Sequence, residues 1–136
     1  MNALTLARQI AFQVLYQLDV AGGEPDETHR AYVERWARRP GVADRAWSLI
    51  DGCLAHRDEI DRLVSEKAEN WSLDRIAPVD RNVLRLGAFE LLHAPATPPK
   101  VAIDEAIELA KRFGQTESGA FVNAILDAIR KDHVSP

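Results

Sequence analysis

The spacing of apolar residues along the chain predicts a series of helices. Near the N-terminus, six apolar residues recur at intervals of three and four: Leu4, Ala7, Ala11, Val14, Leu15 and Leu18. This spacing places them on one face of an amphipathic helix over residues 4–20. Gly22 and Gly23 follow, and glycine commonly ends a helix. The chain therefore opens with a helix that buries one face.

The next segments are more polar and less regular. A second helix is predicted over residues 24–38, and a turn over 39–41, where proline and glycine adjoin. The apolar side of this helix is formed by Tyr32, Val33 and Trp36. A longer helical stretch is predicted over residues 43–70, and it could bend either at Gly52 or within the polar run 56–59. The pattern does not distinguish between these two positions.

The second half of the chain is predicted to be helical as well. Residues 72–76 suggest a short turn of helix, and Pro78 suits the start of the next helix, where its missing N–H does no harm. That helix, over 79–93, is apolar on more than one face, which is typical of the buried centre of a domain. Two further helices are predicted over residues 100–113 and from about residue 116 onward.

The fold class follows from these elements. No segment shows the alternation of apolar and polar residues that is typical of β-strands. The sequence therefore predicts an all-α bundle of six or seven helices. Its 136 residues fit a single domain over 1–136, which can bury enough surface to be stable without a disulfide or a metal.

Composition and charge limit the classes of function. Hydrophobic residues make up 46% and charged residues 28%, which is typical of a globular protein. The sequence shows neither a signal peptide nor an apolar run of about 18 residues, and Cys53 is its one cysteine; a cytoplasmic location is expected. Cys53 lies on an apolar stripe and is expected in the core. The net charge of −4 argues against coating nucleic acid through charge alone.

Sequence motifs for catalysis or metal binding are absent. Four histidines stand alone, without a second ligand at helical spacing: His29, His56, His93 and His133. There is no glycine-rich phosphate loop and no Gly-x-Ser-x-Gly motif. The acidic pairs at 58–59 and 104–105 point about 100° apart on a helix, so they do not converge on one substrate atom. The sequence predicts no enzyme, no metal site and no cofactor.

Several segments resemble the bacterial NusB family of transcription antitermination factors. Residues 100–114, with the sequence KVAIDEAIELAKRFG, are similar to the signature helix of that family, and residues 117–118 and 121–123 follow at the family's spacing. Residues 80–91 resemble the family's central helix, and residues 7–16 resemble its first. The resemblance implies an all-helical fold of two packed helical subdomains.

The same resemblance implies a function. Members of the family bind the boxA element of nascent, single-stranded RNA together with a small-subunit ribosomal protein that also serves as the factor NusE. The complex helps RNA polymerase to read through terminators, notably in ribosomal RNA operons. The expected partners are therefore boxA-type RNA, NusE and the transcription elongation complex, and the resemblance implies no catalytic activity and no cofactor.

Four candidate RNA contacts are implied by the resemblance. Arg8 matches the last arginine of an N-terminal arginine-rich stretch that touches RNA, and it could also be an ordinary surface arginine. Glu117, Ser118 and Phe121 match a loop and helix start that lie against RNA. Both Glu117 and Ser118 also suit a helix N-terminus without any binding role. Phe121 lies off the apolar stripe of its helix, where it could either stack on a base or border the core.

Further candidates are two cations and two positions that face the protein partner. Lys111 and Arg112 lie late in their helix, where they could contact phosphates or complement the helix dipole. Tyr16 and Asp80 match positions that face the ribosomal protein. Tyr16 could equally be ordinary packing, and an acid such as Asp80 is favoured in a first helical turn in any case.

One departure from the family leaves alternatives open. The family has several arginines before the position of Arg8, whereas residues 1–7 contain none. Loss of about three phosphate contacts would weaken RNA binding and flatten its salt dependence. One alternative is a protein–protein adaptor that has lost RNA binding. Another is the detached N-terminal domain of a ribosomal RNA cytosine methyltransferase. That interpretation would require a truncated chain, because the sequence ends at Pro136 with no methyl-donor-binding α/β domain.

Overall fold

The computed structural model describes residues 1–69 and 71–134, whose regular secondary structure is helical. It contains seven α-helices: α1 (Ala3–Ala21), α2 (Glu27–Trp36), α3 (Val42–Ala55), α4 (Arg57–Lys67), α5 (Pro78–His93), α6 (Pro99–Phe113) and α7 (Ser118–His133). A 3-10 turn, Leu73–Arg75, precedes α5. No strand occurs within the described ranges, which confirms the predicted all-α fold of six or seven helices. None of the helices in the described ranges has the length and hydropathy of a membrane-spanning segment.

The predicted long helix over 43–70 consists of two helices, α3 and α4, which meet at His56. The bend therefore lies in the polar run and not at Gly52, which stays inside α3. A Cβ atom at Gly52 would lie 2.2 Å from Cζ of Phe89. The missing side chain lets the Phe89 ring of α5 pack directly on the backbone of α3. Residue 70, the predicted end of the stretch, lies outside the described residues.

Helix α2 is shorter than predicted at both ends, and its start is fixed by Asp26, which caps it. The Asp26 side chain accepts a hydrogen bond from the N–H of Thr28, and the His29 ring accepts one from the N–H of Asp26. Val33 is fully buried, but the placement of Trp36 on the buried side is wrong, because this residue is 51% exposed. Trp36 is the last residue of α2, and its ring packs against Tyr32 of the same helix.

Helix α5 forms the centre of the molecule, as its sequence predicts. Every residue from 82 to 91 is buried, and α5 packs against α1, α3, α4, α6 and α7. A Cβ atom at Gly87 would lie 2.7 Å from Cδ1 of Leu126, so this glycine allows α7 to approach closely. Helix α1 packs mainly on α3, and α6 packs on α5 and α7; because α5 also contacts α1 and α3, the buried side chains join in one continuous hydrophobic cluster.

Cys53 is a core residue, as predicted. It is 3% exposed, and its Sγ lies 3.9 Å from the backbone oxygen of Arg85. Burial raises the pKa of the Cys53 thiol well above its usual range, and the charge of Glu90 raises it further against the opposing effect of Arg85. The thiol therefore stays protonated and behaves as a small apolar side chain.

The buried position of α5 requires partners for its charged side chains. Asp19 of α1 accepts hydrogen bonds from Arg81 at 2.6 Å and from Asn82 at 2.9 Å, and lies 3.3 Å from Arg85. Arg85 also donates to Asp61 of α4 at 2.8 Å. Burial by itself would raise the pKa of Asp19, but the hydrogen bonds and the two guanidinium charges outweigh burial and hold this pKa below its usual value.

Replacing Asp19 by Asn should destabilise the protein by about 1–3 kcal/mol at neutral pH, because Arg81 and Arg85 lose a shared carboxylate that is largely buried. Since the pKa of Asp19 is lowered on folding, its contribution is present above about pH 4 and is lost as the pH falls through the lowered pKa. Urea unfolding should therefore show a smaller difference between D19N and the parent protein in acid. Asp51→Asn, at an exposed position of α3, should have little effect at either pH. An equal loss at both pH values would contradict this role of the Asp19 carboxylate.

Candidate nucleic-acid interface

Arg8 lies in the interior and not on the surface. Its Nε and Nη2 donate to the two carboxylate oxygens of Glu90 at 2.7 and 2.9 Å, and its Nη1 donates to Glu105 at 3.0 Å. The residue is 2% exposed, and Glu105 accepts a further hydrogen bond from the hydroxyl of Thr5. Three of the five N–H donors of Arg8 are thus bonded to carboxylates of α5 and α6, so a phosphate would have to compete with a buried ion pair for this guanidinium.

A groove of about 440 Å³ runs between α1 and α6 above this ion pair. It is lined by Met1, Thr5, Arg8, Gln9, Glu105, Glu108, Leu109, Lys111 and Arg112. The two helices run in the same direction, because Phe12 contacts Phe113 with ring centroids 5.1 Å apart while Arg8 contacts Glu105. The groove therefore extends from the start of α1 to the C-terminal turn of α6.

The two predicted cations lie together on this C-terminal turn. Lys111 and Arg112 are both exposed, and the Arg112 guanidinium lies over the ring of Phe113, 5.7 Å from its centroid. Lys111 Nζ is 3.9 Å from the carboxylate of Glu108, at a site where both side chains are largely exposed. Such a surface ion pair contributes little stabilisation, so Lys111 remains available to a phosphate.

The loop between α6 and α7 places Ser118 and Glu117 differently. The Ser118 hydroxyl is buried and accepts a hydrogen bond from the N–H of Gln115 at 2.9 Å, so it holds the loop. Glu117 is exposed and makes no capping hydrogen bond at the start of α7. A Cβ atom at Gly119 would lie 3.4 Å from Cγ of Lys111. The first turn of α7 therefore packs against the side chain of Lys111.

Phe121 borders a second cavity, of about 310 Å³, on the other side of this loop. The cavity is lined by Trp71, Arg75, Ile76, Ala77, Asp80, Gln115, Glu117, Ser118 and Phe121. Phe121 is partly buried against the core, whereas Trp71 is 51% exposed. Sequence reasoning missed Trp71 and Arg75, because they lie in a short turn that carries no periodic signal. A tryptophan that lies between two predicted helical segments is the one signal in the sequence that could have pointed to this cavity.

The positions matched to the protein partner lie where α1 meets α5. Tyr16 is partly buried, with its ring centroid 6.2 Å from that of Phe12. Asp19, one turn further along α1, is bonded to Arg81, the neighbour of Asp80. Within the described part of the chain, Oδ1 of Asp80 is buried and has no hydrogen-bond partner. Asp80 also lines the cavity beside Phe121, so the structure brings candidates of both kinds to one side of the molecule.

The expectation that all four histidines stand alone is wrong for His56 and His93. Their rings stack with centroids 3.8 Å apart and planes inclined by 18°, and His93 Nε2 lies 2.5 Å from Glu59. The hydrogen bond with His93 lowers the pKa of Glu59. The ligand atoms of these three residues lie within 4.8 Å of one another, but stacked rings do not direct their in-plane lone pairs to one point. In this orientation the cluster is a paired aromatic contact.

Comparison with known sequences places this architecture in one family. The family model described as "NusB family" matches residues 5–131. The chain is 45% identical to the transcription antitermination protein NusB of Myxococcus xanthus, over 95% of both chains. It is 47% identical to the protein of the same name from Anaeromyxobacter dehalogenans, over 92% of this chain and 88% of the relative.

Solved structures give the same result at the level of the fold. Thermotoga maritima NusB superposes with a TM-score of 0.87 at 38% identity, covering 97% of this chain and 93% of the other. A chain from the structure described as antitermination factors NusB and NusE in complex with dsRNA superposes with a TM-score of 0.88 at 33% identity, covering 98% and 99%. Since the family model and these relatives each span nearly the whole sequence, the chain belongs to the NusB family.

Proposed function

We propose that the protein is an RNA-binding transcription antitermination factor and acts without catalysis or cofactor. It binds boxA-type single-stranded RNA together with the small-subunit ribosomal protein NusE, in the cytoplasm. The assembly joins the transcription elongation complex and promotes read-through by RNA polymerase, notably in ribosomal RNA operons. One observation carries the RNA part of the proposal: the loop between α6 and α7 has the exposed cations Lys111 and Arg112 on one side and the ring of Phe121 on the other, so a single strand that crosses this loop can contact both.

The residues of this surface divide by chemistry. Lys111 and Arg112 neutralise phosphates, because both cations are exposed and weakly paired. Phe121 offers a ring on which an unpaired base stacks, and Glu117 at the rim accepts hydrogen bonds from base amino groups. Ser118 acts indirectly by holding the loop between α6 and α7.

Arg8 contributes to RNA binding through the position of α1. Its guanidinium joins α1 to Glu90 of α5 and Glu105 of α6, so it fixes the width of the groove that ends at Lys111 and Arg112. A residue with this role affects affinity by changing the shape of the groove. Direct contact with a phosphate is not needed for that effect.

The protein partner is proposed to bind across the contact between α1 and α5. Tyr16 offers a partly exposed ring with a hydroxyl group, and Asp80 carries an acceptor that no described side chain uses. A buried polar atom without a partner is costly, and a donor from the partner would remove that cost. Because Asp80 and Phe121 line the same cavity, RNA and the partner meet at adjacent positions.

The adaptor alternative is favoured by the net charge of −4 and by the absence of arginine from residues 1–7. An adaptor of this kind would bind the ribosomal protein through the same α1–α5 contact but would show no affinity for RNA. Direct RNA titration separates the two functions. A protein that is only an adaptor would bind no RNA in such a titration, either alone or with the ribosomal protein present.

Replacing Phe121 by Ala should weaken binding of boxA-type RNA by about 1–3 kcal/mol, because one base loses its stacking partner. The melting temperature should change little, since Phe121 lies at the edge of the core. Trp47→Ala provides a matched loss of a partly buried aromatic ring on α3 and should leave RNA affinity unchanged. A large drop in melting temperature with unaltered RNA affinity would show that Phe121 serves the core alone.

The double variant Lys111→Gln, Arg112→Gln should flatten the salt dependence of RNA binding. Each phosphate neutralised on a single strand contributes about −0.7 to the slope of log affinity against log salt, so two lost contacts reduce that slope by about 1.4. Binding to RNAs of different sequence should weaken alike, because phosphate contacts do not read bases. Arg62→Gln removes an exposed cation of α4, and the slope should stay as it is. An unchanged slope in the double variant would remove Lys111 and Arg112 from the interface.

The ribosomal-protein partner should strengthen RNA binding by about 1–3 kcal/mol, and RNA should strengthen partner binding by the same amount. Asp80→Ala should reduce affinity for the partner while leaving the affinity of the isolated protein for RNA close to that of the parent. Fluorescence titration of labelled RNA, with and without saturating partner, measures both quantities. Equal RNA affinity in the two titrations would contradict coupled binding, and a double-stranded version of the RNA tests the preference for single strands.

A further inference from the structure

The end of α2 and the turn that follows carry a dense group of exposed cations around a tryptophan. Arg35, Trp36, Arg38 and Arg39, here called the arginine turn, are all exposed, and residues 35–43 contain no acidic residue. The Arg35 guanidinium lies 5.5 Å from the centroid of the Trp36 ring. Among the described residues, no carboxylate lies within 4.0 Å of these three guanidinium groups, although ion pairs are frequent elsewhere in the chain.

The position of the arginine turn links it to the groove between α1 and α6. Nη1 of Arg39 donates a hydrogen bond to the backbone oxygen of Met1 at 2.7 Å, and Met1 lines the groove at the start of α1. Lys111 and Arg112 lie at the opposite end of the same groove. The groove thus has a positively charged group at each end.

The charges within the groove favour contacts with RNA at both of its ends. Arg8 is neutralised by Glu90 and Glu105, and the largely exposed Glu108 adds a negative charge. An RNA backbone bound only at Lys111 would therefore run beside these carboxylates as it leaves the groove, and they would repel its phosphates. Cations beyond Met1 give the chain a second point of attachment.

The side chains of the arginine turn match RNA better than an acidic protein surface. Unpaired guanidinium groups bind phosphate through two parallel N–H donors, and an exposed indole ring offers a stacking surface to any base. Arg35 beside Trp36 combines both contacts at one place. An acidic peptide would use the arginines but would leave half of the Trp36 surface in water.

We propose that the arginine turn is a second RNA contact, which binds single-stranded RNA that continues past Met1 beyond the end of the groove. It supplies phosphate contacts that residues 1–7, which contain no arginine, do not supply. This inference rests on the proposed RNA-binding function and extends the bound RNA beyond the surface formed by α6 and α7. The contact reads no sequence, because its donors face phosphates and its ring accepts any base.

The test compares two RNAs: the shortest boxA-type oligonucleotide that binds, and the same RNA extended at either end by uridines. The variant Arg35→Gln, Arg38→Gln, Arg39→Gln should reduce the slope of log affinity against log salt by about 2 on the extended RNA, since each of three lost contacts contributes about 0.7. On the short RNA its affinity and slope should equal those of the parent. A variant with the three arginines replaced by lysine should keep the slope.

Trp36 provides an independent readout. Trp36→Ala should weaken binding of the extended RNA about 5- to 150-fold and leave the short RNA unaffected, whereas Trp36→Phe should retain most of the affinity. The matched control removes three exposed cations elsewhere, with Arg57, Arg62 and Lys131 replaced by Gln, and should leave the slope on the extended RNA close to that of the parent. All these positions are exposed, and melting temperatures near that of the parent check that each variant is folded.

Each outcome of these titrations either supports or contradicts the inference or the proposed function. If the triple glutamine variant binds the extended RNA like the parent, the arginine turn is not an RNA contact, although the proposed function stands. If that variant instead loses affinity for the ribosomal-protein partner, the surface binds protein, and the inference is overturned. If the parent binds neither RNA, even with the partner present, the proposed function fails first. A loss confined to the extended RNA supports the inference.

Discussion

The fold depends on the pairing of charges that the central helix carries into the core. Every residue of α5 from 82 to 91 is buried, yet this stretch contains Arg85 and Glu90. Charges taken out of water are destabilising unless they are paired with good geometry. Arg8 and Asp19, about three turns apart on α1, supply partners for these charges, and Asp61 of α4 supplies another. These pairs fix the position of α1 along α5, because a shift of one helical turn, about 5.4 Å, would separate the charged groups from their partners.

The same pairing determines the geometry of the candidate RNA-binding surface. Arg8 bonds to Glu90 of α5 and at the same time to Glu105 of α6, so one guanidinium group fixes the distance between α1 and α6 at this point. The groove between these helices is the space that remains above the ion pair. The positions of its two exposed cations, Lys111 and Arg112, depend on the register of α6. A binding surface held by buried ion pairs is set before RNA arrives, which lowers the ordering cost of binding.

Periodicity predicted the helices well, because each amphipathic stripe is a local property of the sequence. It could not predict that Arg8 is buried, since its partner Glu90 lies 82 positions away and a lone arginine at the edge of a stripe resembles a surface residue. The same limit applies to His56 and His93, which stack only because α4 begins beside the end of α5. Trp36 shows the opposite error: it fits the apolar stripe of α2, but the helix ends at this residue and its ring stays exposed.

The acidity of the whole chain does not decide whether RNA binds, because electrostatic attraction acts over short distances. At physiological ionic strength charges separated by more than about 8 Å are largely screened from each other in water. A phosphate beside Arg112 therefore interacts with its immediate neighbours, whereas exposed carboxylates on other faces, such as Asp51 of α3, contribute little. Many of the acidic side chains also neutralise arginines within the protein, as Glu90 does for Arg8 and Asp61 for Arg85. A net charge of −4 is then compatible with local sites at which unpaired cations face a phosphate chain.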